Sequence, residues 1–361
     1  MAALAGRRLR IALLTSSRFW RGSSSVFAVL ARGLAGRGHA TTALVAYEPV
    51  ASGFRARDVA VRTLPVGHTS LQGARALRRG LRDLAVDVVL VDRARDIRLA
   101  AFASLGRSLA VVYCISTPGP PRDPLTRVAF RRVRLTVFLT EGLARRALGE
   151  APFMRRAPHR VIPNGVDCGV FRPDDLAGRA FRQRYDLGDG ALLVGVGALE
   201  GEKRWDLLLE SVALLPPPAP PLVLCGSGAL EGVLRARALR LGLDVRFVGQ
   251  IDSSDLVAAY NAATCVVHSR PDEVFALALL EALACGRPVL AADGGGTRAL
   301  LGDAGVLAPP EQPRVFAQLL QDLLDHPTRR AALGAAARQR AIALFSLDRM
   351  VRDYAEALEA L

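Results

Sequence analysis

Apolar positions along the chain fall into short β-rich runs that alternate with longer stretches of helical period. In the first half, strands are predicted at 10–15, 42–46, 87–91, 109–114 and 135–139, with helical patterns at 26–37, 71–84 and 141–148. The pattern restarts after Pro163-Asn164-Gly165, with strands at 192–196, 222–225, 245–248, 264–268 and 288–291. Helices intervene at 204–215, 230–241, 254–262 and 275–284. In the first of these, Trp205, Leu208, Leu209, Val212 and Leu215 keep the spacing of one buried face. A proline turn at 216–221 separates a helix from a strand. From 312 onward the pattern is helical, and Pro327 stands where one helix stops and the next starts.

Strands alternating with helices predict parallel sheets wrapped by helices, and the restart predicts two of them. A chain of 361 residues suits two domains better than one. The expected fold is α/β, with two Rossmann-like, doubly wound parallel-sheet domains facing a central cleft. The expected boundaries are 1–163 and 164–345, with 346–361 a terminal helix packing back on the first domain. Ligands in such sheets bind at the carboxyl ends of the strands, so chemistry is expected in the cleft.

Composition narrows the class. The chain is 51% hydrophobic and 23% charged, which excludes a disordered chain. The basic residues at 1–10 precede only a short apolar run at 11–14, and no stretch approaches about 20 apolar residues, so neither a signal peptide nor a membrane span is predicted. A cytoplasmic location is expected, with peripheral attachment at the inner face of a membrane as an option. Five widely separated cysteines lack zinc or redox spacing and are expected to be reduced, mostly buried thiols.

The net charge of +14 is unevenly placed. Residues 1–163 hold 28 arginines against 9 acids and the remainder 20 basic against 25 acidic residues, which makes the halves +19 and −5. That asymmetry fits an anionic partner for the first half, such as a membrane surface, a phosphorylated acceptor or nucleic acid, or simply an arginine-rich composition. No recognised module or aromatic platform supports specific nucleic-acid binding. A dinucleotide oxidoreductase is disfavoured because no G-x-G-x-x-G with a following acid opens either half.

Candidate chemistry concentrates at 271–290. Glu281 sits in an otherwise apolar run at 274–285, so its helix is expected to be buried nearly all round. An ionised carboxylate there costs several kcal/mol unless partnered, by ligand hydroxyls such as those of a ribose or by a structural ion pair. Glu273 falls before that helix, at the end of the strand 264–268, and the helix start offers backbone N–H groups to an anion. Lys203, the only lysine in the chain, lies in a strand-to-helix turn and suits a diphosphate, or else is a solvated helix-start charge. Arg204 beside it shares the role or packs. The loop 16–26 leads into a helix through Gly22 and Ser23 to Ser25, which fits a phosphate or a plain N-cap. The three glycines in the loop 293–297 carry the same logic.

Together these stretches resemble family 4 of the retaining glycosyltransferases, which have the GT-B fold and include the glycosyl transferases group 1. The resemblance covers most of 9–345 and is strongest at 160–310. VIPNGVD at 161–167 resembles the interdomain signature; Glu273 and Glu281 match an E-x7-E pair, and ALACGRPVLA at 282–291 matches the stretch directly after that pair. The resemblance implies a hexose-type transfer from a nucleotide-diphosphate sugar co-substrate to a glycan or lipid-linked acceptor, with retention and without metal or other cofactor. By it, Glu281 binds the ribose hydroxyls, Glu273 contacts the transferred sugar and Lys203 holds the diphosphate. Amides near Ala276 and Leu277 assist, and Gly22 and Ser23 belong to a glycine loop that closes over donor and acceptor. RGHA at 37–40 matches the turn after the first helix, with His39 structural.

The chain also departs from the pattern. Ala198 replaces an arginine, Ala276 a glycine and Ala299 a glutamate, and no histidine occurs in VVYCISTPG at 111–119. The departures keep a second expectation in play, a donor-binding but catalytically inactive partner subunit.

Overall fold

The computed structural model describes residues 7–117 and 119–361, so the first six residues of the basic start and Pro118 of the segment 111–119 lie outside the described residues. The chain divides into two compact units, one of residues 1–164 with 347–361 and one of residues 165–346.

The first unit runs β1 (Arg10–Thr15), α1 (Gly22–Gly36), β2 (Ala40–Val45), α2 (Glu48–Arg55), β3 (Val61–Thr63), α3 (Leu71–Asp83), β4 (Val88–Val91), α4 (Ala94–Ala103), β5 (Ala110–Cys114), α5 (Pro124–Ala129), β6 (Val133–Phe138), α6 (Glu141–Glu150) and β7 (His159–Val161). Its strands form one seven-stranded sheet of order β3-β2-β1-β4-β5-β6-β7, in which every pairing is parallel. Ser70, Asp123 and Thr140 cap α3, α5 and α6 by accepting from backbone N–H groups of the first turn. The serines after Gly22 are not such a cap. Arg21 holds the N-cap position of α1, makes no side-chain bond there, and leaves Ser23 to Ser25 inside the first turn.

The second unit runs α7 (Asp175–Arg184), β8 (Leu193–Val196), α8 (Trp205–Ala213), β9 (Leu222–Cys225), α9 (Glu231–Arg240), β10 (Val245–Gly249), α10 (Ser253–Ala262), β11 (Cys265–His268), α11 (Leu277–Ala284), β12 (Val289–Ala292), α12 (Gly295–Leu301), β13 (Val306–Ala308), α13 (Pro313–Asp325) and α14 (Pro327–Phe345). Its six-stranded parallel sheet has the order β10-β9-β8-β11-β12-β13. Strand order reverses between β8 and β11, as it does between β1 and β4 in the first sheet, and such switch points are where ligands of these sheets bind. The central strands β9, β11 and β12 are buried at every position, which is why they read as apolar runs rather than as alternation.

A last helix, α15 (Leu347–Glu359), belongs to the first unit. Val351, Tyr354 and Leu358 join Ile11, Leu13, Leu30 and Leu34 in one core, and the Tyr354 hydroxyl reaches Cys114 Sγ of β5 at 3.7 Å. His39 links the same elements: its Nδ1 accepts from the Leu9 N–H at 3.3 Å and its Nε2 lies 3.3 Å from Glu359. The five cysteines form no disulfide, and all but Cys168 are buried.

The sequence pattern missed β3, β7 and β13, each three residues long at or beside a sheet edge, too short to establish a period. It also began the Glu281 helix too early. Phe275 lies outside α11, Ala276 is its N-cap in extended conformation, and Leu277 is the first helical residue.

Candidate functional site

The switch point of the second sheet brings Lys203 and Glu273 together. Lys203 follows β8 and Glu273 follows β11, neighbours in the sheet, and Lys203 Nζ donates to Glu273 Oε2 at 2.9 Å. The side chains are only 17% and 12% exposed, so the pair is poorly screened by solvent. The Ser269 hydroxyl donates to the Lys203 carbonyl at 2.8 Å and fixes the turn that carries the ammonium.

Two further bases face Glu273. His268 Nε2 lies 3.4 Å and Arg270 Nε 3.9 Å from Oε2. Burial alone would raise the carboxyl of Glu273, but His268 and Lys203 outweigh it and bring it down to about 2. Glu273 is therefore ionised throughout the physiological range. Burial lowers His268 in turn, against the raising effect of Glu273.

The segment around Glu273 is held from beneath by the glycine loop before α12. The Gly296 N–H donates to the Glu273 carbonyl at 3.1 Å. A Cβ on Gly296 would stand 2.0 Å from that oxygen, and one on Gly294 would stand 1.8 Å from the carbonyl oxygen of Pro271. These glycines allow a close backbone approach, and the Gly296 amide is already committed to protein. The phosphate expectation for 293–297 therefore does not extend to that amide.

Glu281 lies one turn further along α11. The expectation of a helix buried all round is corrected: Leu277, Ala278 and Glu281 form a partly open face, while Leu279, Leu280 and Ala282 to Ala284 are buried. The carboxylate partner is the Tyr260 hydroxyl of α10, which donates to Glu281 Oε2 at 2.8 Å. Burial pushes Glu281 up to about 7, against the lowering effect of that bond. Ala276 and Leu277 open α11 with no side-chain cap, so its first N–H groups are not taken up by a capping side chain.

Arg204 is placed differently from Lys203. It adopts a left-handed backbone conformation at φ 53°, ψ 40°, and its guanidinium binds Glu311 at 2.6 Å and Asp206 at 3.4 Å. Ala198, where the family pattern has an arginine, accepts from Trp205 Nε1 through its carbonyl at 2.8 Å.

Gly22 and Ser23 stand in the first unit, at the start of α1. There the chain after β1 meets the chain after β4: Asp92 is buried near Ser23 and Thr15, and the Ser16 N–H donates to Asp96 Oδ2 at 3.3 Å. Asp92 and Asp96 are 3% and 0% exposed. Burial raises both, and Asp92 raises Asp96 further, to about 7. Nothing in the sequence pattern singled out these two acids, Tyr260 or Arg270. His268 had a readable signal, since it ends a predicted strand five residues before Glu273. Among the described residues, no group of three or more His, Cys, Asp or Glu side chains is arranged to hold a metal ion.

Two parallel sheets of Rossmann type, each with polar side chains gathered at its switch point, define the class of α/β proteins with two such units in one chain. The family described as Glycosyl transferases group 1 matches residues 179–340, and that described as Glycosyltransferase Family 4 matches residues 20–170. A D-inositol 3-phosphate glycosyltransferase of Thermobispora bispora is 35% identical over 218 residues, 55% of this chain and 50% of that protein. The D-rhamnosyltransferase WbpZ of Pseudomonas aeruginosa is 33% identical over 198 residues, 53% of this chain and 50% of that protein. Anabaena Alr3699/HepE, solved in complex with UDP, has a TM-score of 0.85 at 19% identity, over 98% of this chain and 100% of that one. The chain spans about half the length of the curated relatives it matches. It belongs to the family 4 glycosyltransferases, with the GT-B fold.

Proposed function

We propose that the protein is a glycosyltransferase that takes a sugar from a nucleotide-diphosphate sugar and passes it, with retention of configuration, to a glycan or lipid-linked acceptor. The observation that carries this reading is the Lys203–Glu273 pair at the β8/β11 switch point. The second unit holds the donor. Glu281, backed by Tyr260, accepts from the ribose hydroxyls, and Glu273, held ionised, accepts from hydroxyls of the transferred sugar. Lys203 exchanges its bond to Glu273 for one to the diphosphate, with the amides of Ala276 and Leu277 alongside. Arg204 beside Lys203 shares the donor site only if its guanidinium leaves Glu311 and Asp206, which hold it otherwise. That the Anabaena neighbour is in complex with UDP supports a uridine nucleotide as the first donor to test.

The bond from the sugar C1 to the phosphate oxygen breaks, and the nucleoside diphosphate leaves with the electron pair. The acceptor hydroxyl attacks the same face, and its proton passes to the departing phosphate. Catalysis then rests on stabilising the leaving diphosphate more in the transition state than in the ground state. Lys203 and the helix-start amides supply that charge without a metal. Gly22 and Ser23 of the first unit serve the donor and acceptor side, and the +19 balance of residues 1–163 suits an anionic membrane surface at the inner face of a cytoplasmic membrane. No helix among the described residues is long and apolar enough to cross one.

The test is thermal stabilisation of the wild type and Glu281→Ala by UDP, GDP, ADP and their glucose conjugates, with EDTA present. The expected result is a shift for one nucleotide in the wild type that is lost in the variant. No shift with any nucleotide overturns the donor site. A shift without hydrolysis or transfer of the sugar leaves the non-catalytic subunit as the reading.

A further inference from the structure

The second unit carries a cavity of about 370 Å³ at the end of its sheet opposite Lys203 and Glu273. Its walls come from residues that lead into the strands rather than follow them: Ala263 and Thr264 before β11, and Arg287 and Pro288 before β12. A four-residue strand spans about 13 Å, so this cavity is separate from the proposed donor site. The rest of the wall is Arg182 of α7, Asn261 of α10, and Pro327 and Arg330 at the start of α14.

Three guanidiniums line this space and, among the described residues, no carboxylate does. The closest acid to Arg287 is Asp175, 3.8 Å away and 80% exposed, so its charge is largely screened. Burial lowers both Arg182 and Arg287; Asp189 opposes this at Arg182 and Asp175 at Arg287, while Arg287 lowers Arg182 a little further. Neither Asp175 nor Asp189 lines the cavity, so an anion inside it would meet these charges directly.

The hydrogen bonds divide the arginines into anchors and an available donor. Arg182 is committed to the carbonyls of Ala262, Gly188 and Gly190 at 2.7 to 3.0 Å, so it is a fixed charge. Arg330 is anchored to the carbonyls of Leu323 and Leu324. Arg287 donates one nitrogen to Asn261 Oδ1 at 2.9 Å, while its Nε is buried and has no partner. That Nε has no accessible surface and is out of a ligand's reach, whereas Nη1, which makes no hydrogen bond among the described residues, can meet a phosphate oxygen with a charge-assisted bond. The Thr264 oxygen accepts from the Leu192 N–H at 2.9 Å, which leaves its proton to donate. At the same wall begins α14, nineteen residues long and without a side-chain cap, whose positive dipole end adds to the field.

We propose that this cavity, built on Arg287 with Arg182 and Arg330, is a binding site for a small phosphorylated metabolite, distinct from the nucleotide-sugar site. No aromatic residue lines it among the described residues, so nothing there stacks a nucleotide base. The volume exceeds that of a bare phosphate and falls in the range of small-ligand pockets, which favours a phosphomonoester carrying a polar body, such as a sugar phosphate. Arg287 follows directly on α11, the helix that carries Glu281, so an occupied site would brace the end of that helix.

The experiment is calorimetric titration of the folded chain with inorganic phosphate, glucose 6-phosphate and UDP at constant ionic strength, repeated on Arg287→Gln and Arg330→Gln. Circular dichroism checks that each variant is folded. The expected result is saturable binding of glucose 6-phosphate, additive with UDP and weakened roughly tenfold or more in each variant, as loss of a charge-assisted bond implies, while UDP binding is unchanged. Phosphate binding as tightly as glucose 6-phosphate assigns the site to the free anion and overturns the sugar-phosphate form. No saturable binding of either, or equal binding in folded variants, overturns the site. Loss of UDP binding in the wild type counts against the donor reading alone.

Discussion

Tyr260 and Glu281 stand on different helices and share one hydrogen bond of 2.8 Å, the tyrosine donating and the carboxylate accepting. The pair leaves Glu281 with its carboxyl pushed up to about 7 by burial, so both protonation states are populated near neutrality. Only the ionised form accepts from two ribose hydroxyls without first losing a proton. Nucleotide binding is therefore expected to strengthen as pH rises from about 6 to 8. Tyr260→Phe removes the bond that favours the ionised form, moving that rise to higher pH and weakening binding several-fold at pH 7. Titrations of UDP across this range, on wild type and variant, check both; a flat profile in the wild type removes the role given to Glu281.

Lys203→Ala takes away the charge proposed to meet the leaving diphosphate. Turnover should fall by about 10² to 10³, as when a preorganised oxyanion donor is removed from an active site. Lys203→Arg should recover only part of it, since a planar fork does not replace a compact ammonium. Steady-state kinetics with the best donor measure this, and an unchanged kcat in Lys203→Ala ends the assignment.

Gly296→Ala places a methyl group where the carbonyl oxygen of Glu273 would lie at 2.0 Å. The backbone must move, at a cost of about 1 to 3 kcal/mol, or roughly 2 to 4 °C of Tm for each kcal/mol. Because the displaced oxygen belongs to Glu273, turnover should drop by more than the loss of folded protein accounts for. Melting curves read beside kinetics on the folded fraction decide it.

Asp96 offers a stability test in the first unit. Its carboxyl is raised to about 7 from an ordinary 3.8, first by burial and then by Asp92. The native state thus holds a proton that the unfolded chain has released. The stability this contributes is fully present below about pH 4 and is lost as pH rises through 7. Asp96→Asn keeps an oxygen for the Ser16 N–H and has no proton to lose. At pH 8 it should be more stable than wild type by about 1 kcal/mol or more, an advantage that disappears towards pH 4. Denaturant midpoints at the two pH values measure the difference.

The basic first unit is expected to bind vesicles containing about 30% anionic lipid and to release them as salt is raised from about 0.05 to 0.5 M, since such attraction falls with the Debye length. Duplex DNA of matched charge should not compete with the vesicles. Co-sedimentation tests it, and binding to neutral vesicles at high salt would point to an apolar contact instead.

Much of this architecture was legible because its central strands are buried on both faces. Apolar runs such as 222–225 and 288–291 announce such strands without a partner being known. Lys203 and Glu273 were legible for a second reason: each lies in the loop that follows a predicted strand, and Lys203 is the only lysine in the chain. That they bond to one another was not legible, because it depends on β8 lying beside β11, a neighbourhood 70 residues apart in sequence. Tyr260 was hidden for the same reason, as its helical pattern gives no hint that its hydroxyl meets α11. Asp92 and Asp96 looked like ordinary polar residues after a strand, and only the three-dimensional fold makes them buried acids.

The return of α15 to the first unit has a consequence for synthesis. Most of the first unit precedes the second along the chain, yet that unit cannot close its core until Val351, Tyr354 and Leu358 have left the ribosome. The second unit, one continuous segment, has all its strands in hand before then. The earlier segment is therefore finished last: a nascent chain whose emerged part ends just before residue 347 has a complete second unit and a first unit with part of its core uncovered.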